Sequence, residues 1–242
     1  MPVVRRGADR SEDGGQAPQG TAVSRSGSVP GWLCGIVDAV ADVRAEQLSR
    51  EPLPRDGDGR AAAVLVLFGE SAQHGADVLL IERASGLRSH AGTPAFPGGV
   101  IDPDDHGPVG AALREAHEET GLHPDGVDVL ATLPELWLRA GGYVVTPVLA
   151  WWRAPSAVQV VDPVEVAAVH RVPLAQLVDP ANRLRVRHSS GYVGQAFRVG
   201  NLLVWGFTAA LLGGLLEAGG LARPWDRDRV ESLPEPQGAH RR

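Results

Sequence analysis

The sequence predicts an α/β (α+β) fold in which one mixed β-sheet is covered by helices on both faces. Short apolar runs typical of buried strands occur before, between and after segments with helical periodicity. The chain has 242 residues, 43% of them hydrophobic, which is enough for one sizeable core. We therefore expect one domain over residues 31–222. The flanking residues 1–30 and 223–242 are rich in Gly, Pro and charge, which predicts disordered tails.

The first half of the domain reads as a helix, a hairpin, a loop and a second helix. Apolar residues at helical spacing predict a helix over 31–48. The runs "AAAVLVLF" (61–68) and "DVLLIER" (77–83) predict adjacent strands of a hairpin. After a loop rich in Gly and Pro, a helix is expected from Val109 to Thr120, with Gly121 as its left-handed end.

The second half of the domain is predicted to add most of the strands. A short helix is expected over 173–179, with Pro173 in its first turn. The last helix is expected over about 201–217 and contains the apolar stretch Leu202 to Leu216. The predicted strands of this half are 127–133, 143–152, 165–172, 182–188 and 195–199.

Composition excludes several classes of function. The formal charge is −6 and the chain has no lysine, so nothing favours nucleic acid as a partner. The apolar stretch 202–216 is shorter than the roughly 18 to 20 residues that a membrane span needs. The N-terminus has no apolar run after its arginines, which is unlike a signal peptide. The single cysteine, Cys34, allows no intrachain disulfide and is compatible with a cytoplasmic location.

Three glutamates crowd the end of the predicted helix that stops at Gly121. Glu115, Glu118 and Glu119 fall within roughly 100° of one helix face. Two carboxylates about 5 Å apart repel by roughly 3 kcal/mol at an effective dielectric near 20, and carboxylates oppose the dipole at this end of a helix. The acids form either a solvated surface or a site for a hard divalent cation, which prefers oxygen ligands.

The segment "GGVIDPDDHGPVGAALREAHEETGL" resembles the signature box of the Nudix hydrolases, G-x5-E-x7-R-E-U-x-E-E-x-G-U, where U is a bulky aliphatic residue. Arg114, Glu115, Glu118 and Glu119 match the second half of the box. The first half departs, because Asp105 stands where the box has glutamate and lies one residue too far from Arg114. The resemblance implies a Nudix-type mixed sheet between helices.

An upstream motif is similar to that of one subfamily, the coenzyme A pyrophosphatases, L-L-T-x-R-[S/A]-x3-R-x3-G-x3-F-P-G-G. The chain reads "LLIERASGLRSHAGTPAFPGG", in which only Ile81 departs, and this subfamily also tolerates the altered box. The resemblance implies metal-dependent hydrolysis of the diphosphate bond of coenzyme A or acyl-CoA, giving 3′,5′-ADP and (acyl-)4′-phosphopantetheine. The implied partner is a small nucleotide substrate of the coenzyme A type, and a homodimer is compatible with it.

The resemblance also implies a role for each matching residue. Glu115, Glu118 and Glu119 would hold Mg²⁺ or Mn²⁺, and Arg114 would orient a neighbouring acid. Arginines bind phosphate well, which makes Arg83 and Arg88 candidates for substrate binding. Glycine lets backbone approach closely, so Gly98 and Gly99 are further substrate-binding candidates.

The sequence allows two roles for each of two acids and more than one overall function. Asp105 is either an acid that supports the metal ligands without binding the metal or only a turn residue. Glu165 either activates water or is a solvated acid at the edge of a strand. The alternatives for function are a Nudix pyrophosphatase acting on another nucleoside diphosphate derivative (an ADP-sugar, a dinucleotide or a nucleoside triphosphate) and a non-catalytic nucleotide-binding regulator.

Overall fold

The computed structural model describes residues 29–49, 51–54, 58–84 and 92–233. The predicted disorder of residues 1–28 and 234–242 lies outside these ranges, and so does Arg88. The helices are α1 (Gly31–Val40), α2 (Ala45–Leu48), α3 (Gly107–Thr120), α4 (Leu174–Val178) and α5 (Gly206–Ala218). The strands are β1 (Arg60–Ser71), β2 (Gly75–Arg83), β3 (Pro94–Ala95), β4 (Gly98–Val100), β5 (Val127–Thr132), β6 (Leu136–Leu138), β7 (Tyr143–Trp152), β8 (Val166–Pro173), β9 (Arg183–Arg187), β10 (Val193–Val199), β11 (Leu202–Val204) and β12 (Val230–Ser232).

The larger sheet is mixed and has β1 at its centre. Its strand order is β3-β2-β1-β7-β5, while β8 pairs with β2, β4 with β1 and β6 with β7. The β1–β2 hairpin is antiparallel, whereas β1 and β7 run parallel from Arg60 opposite Tyr143 to Phe68 opposite Trp151. A smaller sheet has the order β11-β10-β9-β12. This arrangement confirms the predicted fold class.

The alternating side chains of β1 divide the interior into two cores. Leu65 and Leu67 face the side of the sheet that α3 covers, where the helix contributes the buried alanines Ala111, Ala112 and Ala116. Val66 and Phe68 face the other side, which is covered by α1, α2 and α5. Burial on both faces explains why β1 reads as a continuous apolar run instead of an alternating one.

Three predictions for helices and tails are corrected by the structure. The helix expected over 31–48 is divided, because the chain leaves helical geometry between α1 and α2. The start of the helix expected at 201–217 is β11, which forms antiparallel pairs with β10, and α5 follows it. Residues 223–233 were assigned to a disordered tail, yet β12 pairs in parallel with β9. Sheet pairing outweighs local propensity in the last two cases.

The remaining elements agree closely with expectation. Helix α3 ends at Thr120, and Gly121 takes the left-handed conformation at φ 70°. The strands predicted at 127–133, 143–152 and 165–172 correspond to β5, β7 and β8. The short strands β3, β4 and β6 were not predicted, and β3 and β4 lie in the segment expected to be a loop. In the parts of the chain that the structure describes, no helix combines the length and apolar character needed to cross a membrane.

Candidate active site

Helix α3 presents its glutamates to the loop that precedes it. Pro108 lies in the first turn, where its missing N–H costs nothing. At the other end, the Gly121 N–H donates to the His117 carbonyl and closes the helix. The buried alanines of α3 face the sheet, and strand β4 (Gly98–Val100) contacts the helix. Glu115 and Glu119 therefore meet the backbone of Gly98 and Gly99.

Glu119 is the buried member of the acidic group, with 3% of its surface exposed. Its Oε2 accepts a hydrogen bond from the Gly98 N–H at 3.0 Å. Burial raises the pKa of Glu119 to about 8, although the Gly98 N–H and Arg83 act in the opposite direction. The charges of Glu115 and Glu165 raise the pKa further. The site therefore holds a carboxylate in surroundings that disfavour its charge.

Glu115 occupies space that only a glycine at position 99 leaves free. A Cβ atom at Gly99 would overlap both the Cδ and Oε1 of Glu115. Burial raises the pKa of the Glu115 carboxyl, Arg114 opposes this rise, and Glu118 and Glu165 add to it. Gly99 thus admits a partly buried acid close to the backbone of the loop.

Arg114 connects the loop to the acidic face of α3. Its Nε and Nη2 donate to the two carboxylate oxygens of Asp105 at 2.9 and 3.0 Å, and Nη2 also donates to the Val100 carbonyl. Its Nη1 lies 2.9 Å from Glu118 Oε2 and 3.1 Å from Glu115 Oε1. These acids raise the pKa of Arg114, so the guanidinium is charged at every physiological pH.

The contact with Arg114 decides between the two roles considered for Asp105. The Asp105 side chain is 6% exposed and also accepts the Asp102 N–H at 2.8 Å. The hydrogen bonds from Arg114, followed by that from Asp102, hold the pKa of Asp105 below its usual value. Asp105 is therefore the acid that Arg114 orients, despite the extra residue between them. A two-pronged bond to arginine specifies orientation in a way that a turn residue does not.

Glu165 and Arg83 lie close enough to the glutamates to change their ionisation. Glu165 raises the pKa of both Glu115 and Glu119, and Arg83 lowers that of Glu119. The Glu165 carbonyl accepts the Ala84 N–H at 2.8 Å, which links the start of β8 to the end of β2. Upstream of Glu165, the Val161 N–H donates to the Glu119 carbonyl at 3.2 Å.

The structure thus brings together most of the residues singled out from the sequence. The acids Glu115, Glu118 and Glu119 share one face of α3. Gly98 contacts Glu119 and Gly99 contacts Glu115, while Arg114 contacts Glu115 and Glu118. Sequence reasoning missed the burial of Glu119 and the packing of Gly99 against Glu115. The paired glycines were the available signal, although they were assigned to substrate binding.

The donor set fits a hard divalent cation. Carboxylate oxygens are the ligands that Mg²⁺ prefers, and the raised pKa values of Glu115 and Glu119 mark repulsion and desolvation that a cation would offset. In the described ranges, no group of three acidic, histidine or cysteine side chains already surrounds one point as metal ligands. Arg114 supplies the positive charge beside Glu115 and Glu118.

The metal-free protein is expected to lose stability as the pH rises from 4.5 to 8. The pKa of Glu119 in the folded protein lies above its unfolded value of 4.5. The contribution of this group to the free energy of unfolding is therefore fully present below pH 4.5 and is lost as the pH rises to about 8. The loss is about 4 kcal/mol by pH 8, as an order of magnitude. Denaturant unfolding in a chelator at several pH values measures it, and a Glu119→Gln variant provides the reference. Parallel pH profiles for the two proteins would contradict the assignment.

Comparison with known proteins identifies the family. A family model described as NUDIX domain matches residues 58–193, more than half of the chain. The chain belongs to the Nudix family. It is 36% identical over 174 residues to the Nudix hydrolase NudL of Photorhabdus laumondii, an alignment covering 69% of this chain and 89% of that relative. It is 42% identical over 130 residues to NudL of Shigella flexneri serotype 5b, covering 54% of this chain and 64% of the relative's length.

Two solved Nudix structures align with part of the chain. The Nudix hydrolase RenU from M. smegmatis aligns with a TM-score of 0.47 and 23% identity, covering 71% of this chain and 99% of that one. The NUDIX domain of Shewanella oneidensis NrtR, solved with ADP ribose, aligns with a TM-score of 0.41 and 25% identity over 56% and 86% of the chains. The family model and the NudL relatives confirm the predicted membership of the Nudix hydrolases. Nudix hydrolases generally use divalent metals.

Proposed function

We propose that this Nudix chain hydrolyses the diphosphate bond of coenzyme A or acyl-CoA, giving 3′,5′-ADP and (acyl-)4′-phosphopantetheine. The observation that carries the proposal is the linked pair of motifs. Arg83, in the motif "LLIERASGLRSHAGTPAFPGG", lies close enough to Glu119, in the Nudix box, to lower its pKa. A cationic side chain beside the acidic cluster suits a substrate whose phosphates must approach carboxylates.

The proposed metal ligands are Glu115, Glu118 and Glu119, and the proposed ion is Mg²⁺ or Mn²⁺. When bound, such an ion neutralises phosphate oxygens and makes water more acidic. Glu119 is fixed by the Gly98 N–H, and Glu115 by its contacts with Gly99 and Arg114. These contacts hold two of the carboxylates in place before substrate arrives, which reduces the reorganisation needed for reaction.

Glu165 is proposed to accept a proton from the attacking water. Its side chain is exposed, and its charge acts on both Glu115 and Glu119, so it stands next to the acids and within reach of solvent. The water oxygen forms a new bond to phosphorus, the bridging P–O bond breaks, and the water proton passes to Glu165. Arg83 and Arg88 are proposed to bind substrate phosphates, which places positive charge where the leaving phosphate gains negative charge.

A substrate panel tests the proposal directly. Purified protein would be incubated with Mg²⁺ or Mn²⁺ and coenzyme A, acetyl-CoA, ADP-ribose, a dinucleotide or a nucleoside triphosphate. Mass spectrometry of the products should show 3′,5′-ADP together with 4′-phosphopantetheine or its acyl form. Turnover of ADP-ribose without turnover of coenzyme A would contradict the proposed substrate and would indicate a Nudix hydrolase of different specificity. No turnover of any compound would favour a binding or regulatory role.

Replacing Arg88 with alanine is expected to raise the KM for coenzyme A about tenfold. A hydrogen bond to a charged group is worth about 1.5 to 3 kcal/mol, and each 1.4 kcal/mol is a factor of ten. If Arg88 binds the 3′-phosphate, the KM for 3′-dephospho-coenzyme A should change much less. Steady-state kinetics on both substrates measures the difference. Arg139→Ala, which removes an arginine that is 77% exposed, serves as the control. Equal increases for the two substrates would exclude recognition of the 3′-phosphate.

A further inference from the structure

An open pocket of about 380 Å³ lies at the C-terminal end of α5, away from the acidic cluster. Helix α5 packs on the face of the larger sheet opposite to α3, because its leucines belong to the core that α1 and α2 also cover. The pocket also lies beyond residues 58–193, where the Nudix model matches. Its lining residues are Glu217, Ala222, Arg223, Pro224, Trp225 and Arg227.

The pocket carries an excess of positive charge. Arg223 and Arg227 are exposed, and Glu217 is the acid among the lining residues. The Arg227 Nη2 donates to Glu217 Oε1 at 3.2 Å, so the negative charge of Glu217 is paired with Arg227. Within the described part of the chain, Arg223 forms no ion pair with a carboxylate. Exposed guanidinium groups on a concave surface favour an anionic ligand.

A third arginine lies buried behind the wall of this pocket. Arg183 is 1% exposed, and its guanidinium carbon stands 4.9 Å from the centre of the Trp225 ring and 4.7 Å from that of Phe197. Its Nη2 donates to the neutral Gln195 Oε1 at 2.9 Å. Its Nε and Nη1 are buried and have no hydrogen-bond partner among the described residues. A buried guanidinium without a counter-ion is costly, because aromatic faces replace only part of its hydration.

Two further observations connect Arg183 to the pocket. Trp225 lines the pocket and stacks on Arg183, and its Nε1 is also buried without a partner in the described ranges. The charged groups that act on Arg183 are Glu217 and Arg227, both of which line the pocket. Burial lowers the pKa of Arg183, in agreement with the shortage of nearby negative charge. An anion in the pocket would supply that charge.

We propose that this pocket is an anion site for a phosphate group, with Arg223 and Arg227 as its direct ligands and Arg183 as a buried positive charge behind them. The ligand is either free inorganic phosphate or the phosphate of a nucleotide, because both present the same tetrahedral oxyanion to arginine. The proposal is independent of the substrate proposed for the acidic cluster.

Phosphate-dependent stabilisation tests the site in the full chain. With a chelator present, the Tm would be measured in phosphate and in chloride at equal ionic strength, and the affinity for phosphate by calorimetry. Phosphate should raise the Tm of the unmodified protein, and the Arg223→Ala/Arg227→Ala double variant should bind it at least tenfold more weakly. Arg139→Ala should retain the wild-type affinity, because Arg139 is an exposed arginine that does not line the pocket. Equal affinity in the double variant and the unmodified protein would overturn the proposal, as would no binding at all.

Parallel titrations with 3′,5′-ADP and adenosine identify the source of the phosphate. Tighter binding of 3′,5′-ADP than of inorganic phosphate indicates a nucleotide, and equal binding of the two indicates free phosphate. Either result supports the site if the ligand binds the double variant more weakly than the unmodified protein. Binding of adenosine as tight as that of 3′,5′-ADP would contradict recognition through the phosphate.

A buried variant separates the anion role of Arg183 from a purely structural one. Arg183→Leu is expected to preserve or raise stability in chloride, because it removes a charge that lacks a partner, while the gain from phosphate decreases. Lower stability in chloride with the full phosphate gain retained would show that Arg183 only fills space. If Arg183→Leu does not fold, the double variant, whose changed side chains are exposed, still decides the question.

Discussion

Replacing Glu119 with glutamine is expected to lower kcat by roughly 10²- to 10³-fold, the cost of removing one preorganised electrostatic contact. The same change should stabilise the metal-free protein at pH 8. Glu119 is 3% exposed and burial raises its pKa to about 8, so the folded protein acquires a buried negative charge as the pH rises through that value. Glutamine keeps the shape and can still accept the Gly98 N–H without carrying charge.

Activity and stability should therefore change in opposite directions at this position. Denaturant unfolding in a chelator and steady-state kinetics with Mg²⁺ measure the two effects on one preparation. Glu118→Gln is the matched control, because the Glu118 side chain is 55% exposed and its replacement should lower activity without the gain in stability. A Glu119→Gln protein that is less stable than the unmodified one in chelator at pH 8 would contradict a buried charge.

The adjacent glycines Gly98 and Gly99 are expected to respond differently to alanine. Gly98 has φ 153°, and a Cβ there would overlap the Ala63 carbonyl and stand 2.7 Å from Val64 Cα. Both obstacles belong to the backbone of the central strand, so Gly98→Ala should cost at least about 3 kcal/mol of unfolding free energy, in the range of strained substitutions. Chemical denaturation in a chelator measures this loss. A cost below 1 kcal/mol would contradict the tight approach of β4 to β1.

Gly99→Ala should instead affect turnover. The atoms that a Cβ would overlap belong to the Glu115 carboxylate, which is the end of a flexible side chain and can move away. A shift of about 1 Å in a catalytic group costs on the order of 10²-fold in rate, while the fold loses little. Comparison of kcat and unfolding free energy in the two alanine variants tests this separation. Unchanged kcat in Gly99→Ala would show that the position of Glu115 is not critical.

The elements that were predicted correctly are those specified by residues close together in the sequence. The spacing of apolar residues predicts helix α3, and Gly121 predicts its left-handed end. The continuous apolar run of β1 indicates a strand that is buried on both faces. The acids of the site were found because Glu115, Glu118 and Glu119 lie on one helix face whatever the tertiary structure. These features depend on residues that are close together in the sequence.

Features that depend on distant residues were not predictable in this way. Glu119 is buried because the Gly98 loop folds over it from 21 positions upstream, and nothing in the spacing of the glutamates distinguishes it from the exposed Glu118. The apolar residues Leu202–Val204 suit a helix as well as a strand, and their pairing with β10 decides the outcome. Asp105 could be assigned only when its contact with Arg114 was visible, since the extra residue in the loop displaces it from the usual spacing.

The fully buried apolar residues of α3 are all alanines, and Val109 and Leu113 pack against the same core with partial burial. Ala111, Ala112 and Ala116 leave single methyl groups between the helix and the strands beneath it. These small side chains allow the helix to approach the sheet closely, and the hydrogen bond from the Gly98 N–H to Glu119 depends on that approach. Side-chain volume on the face of α3 that packs on the sheet therefore helps to set where the glutamates of its other face lie.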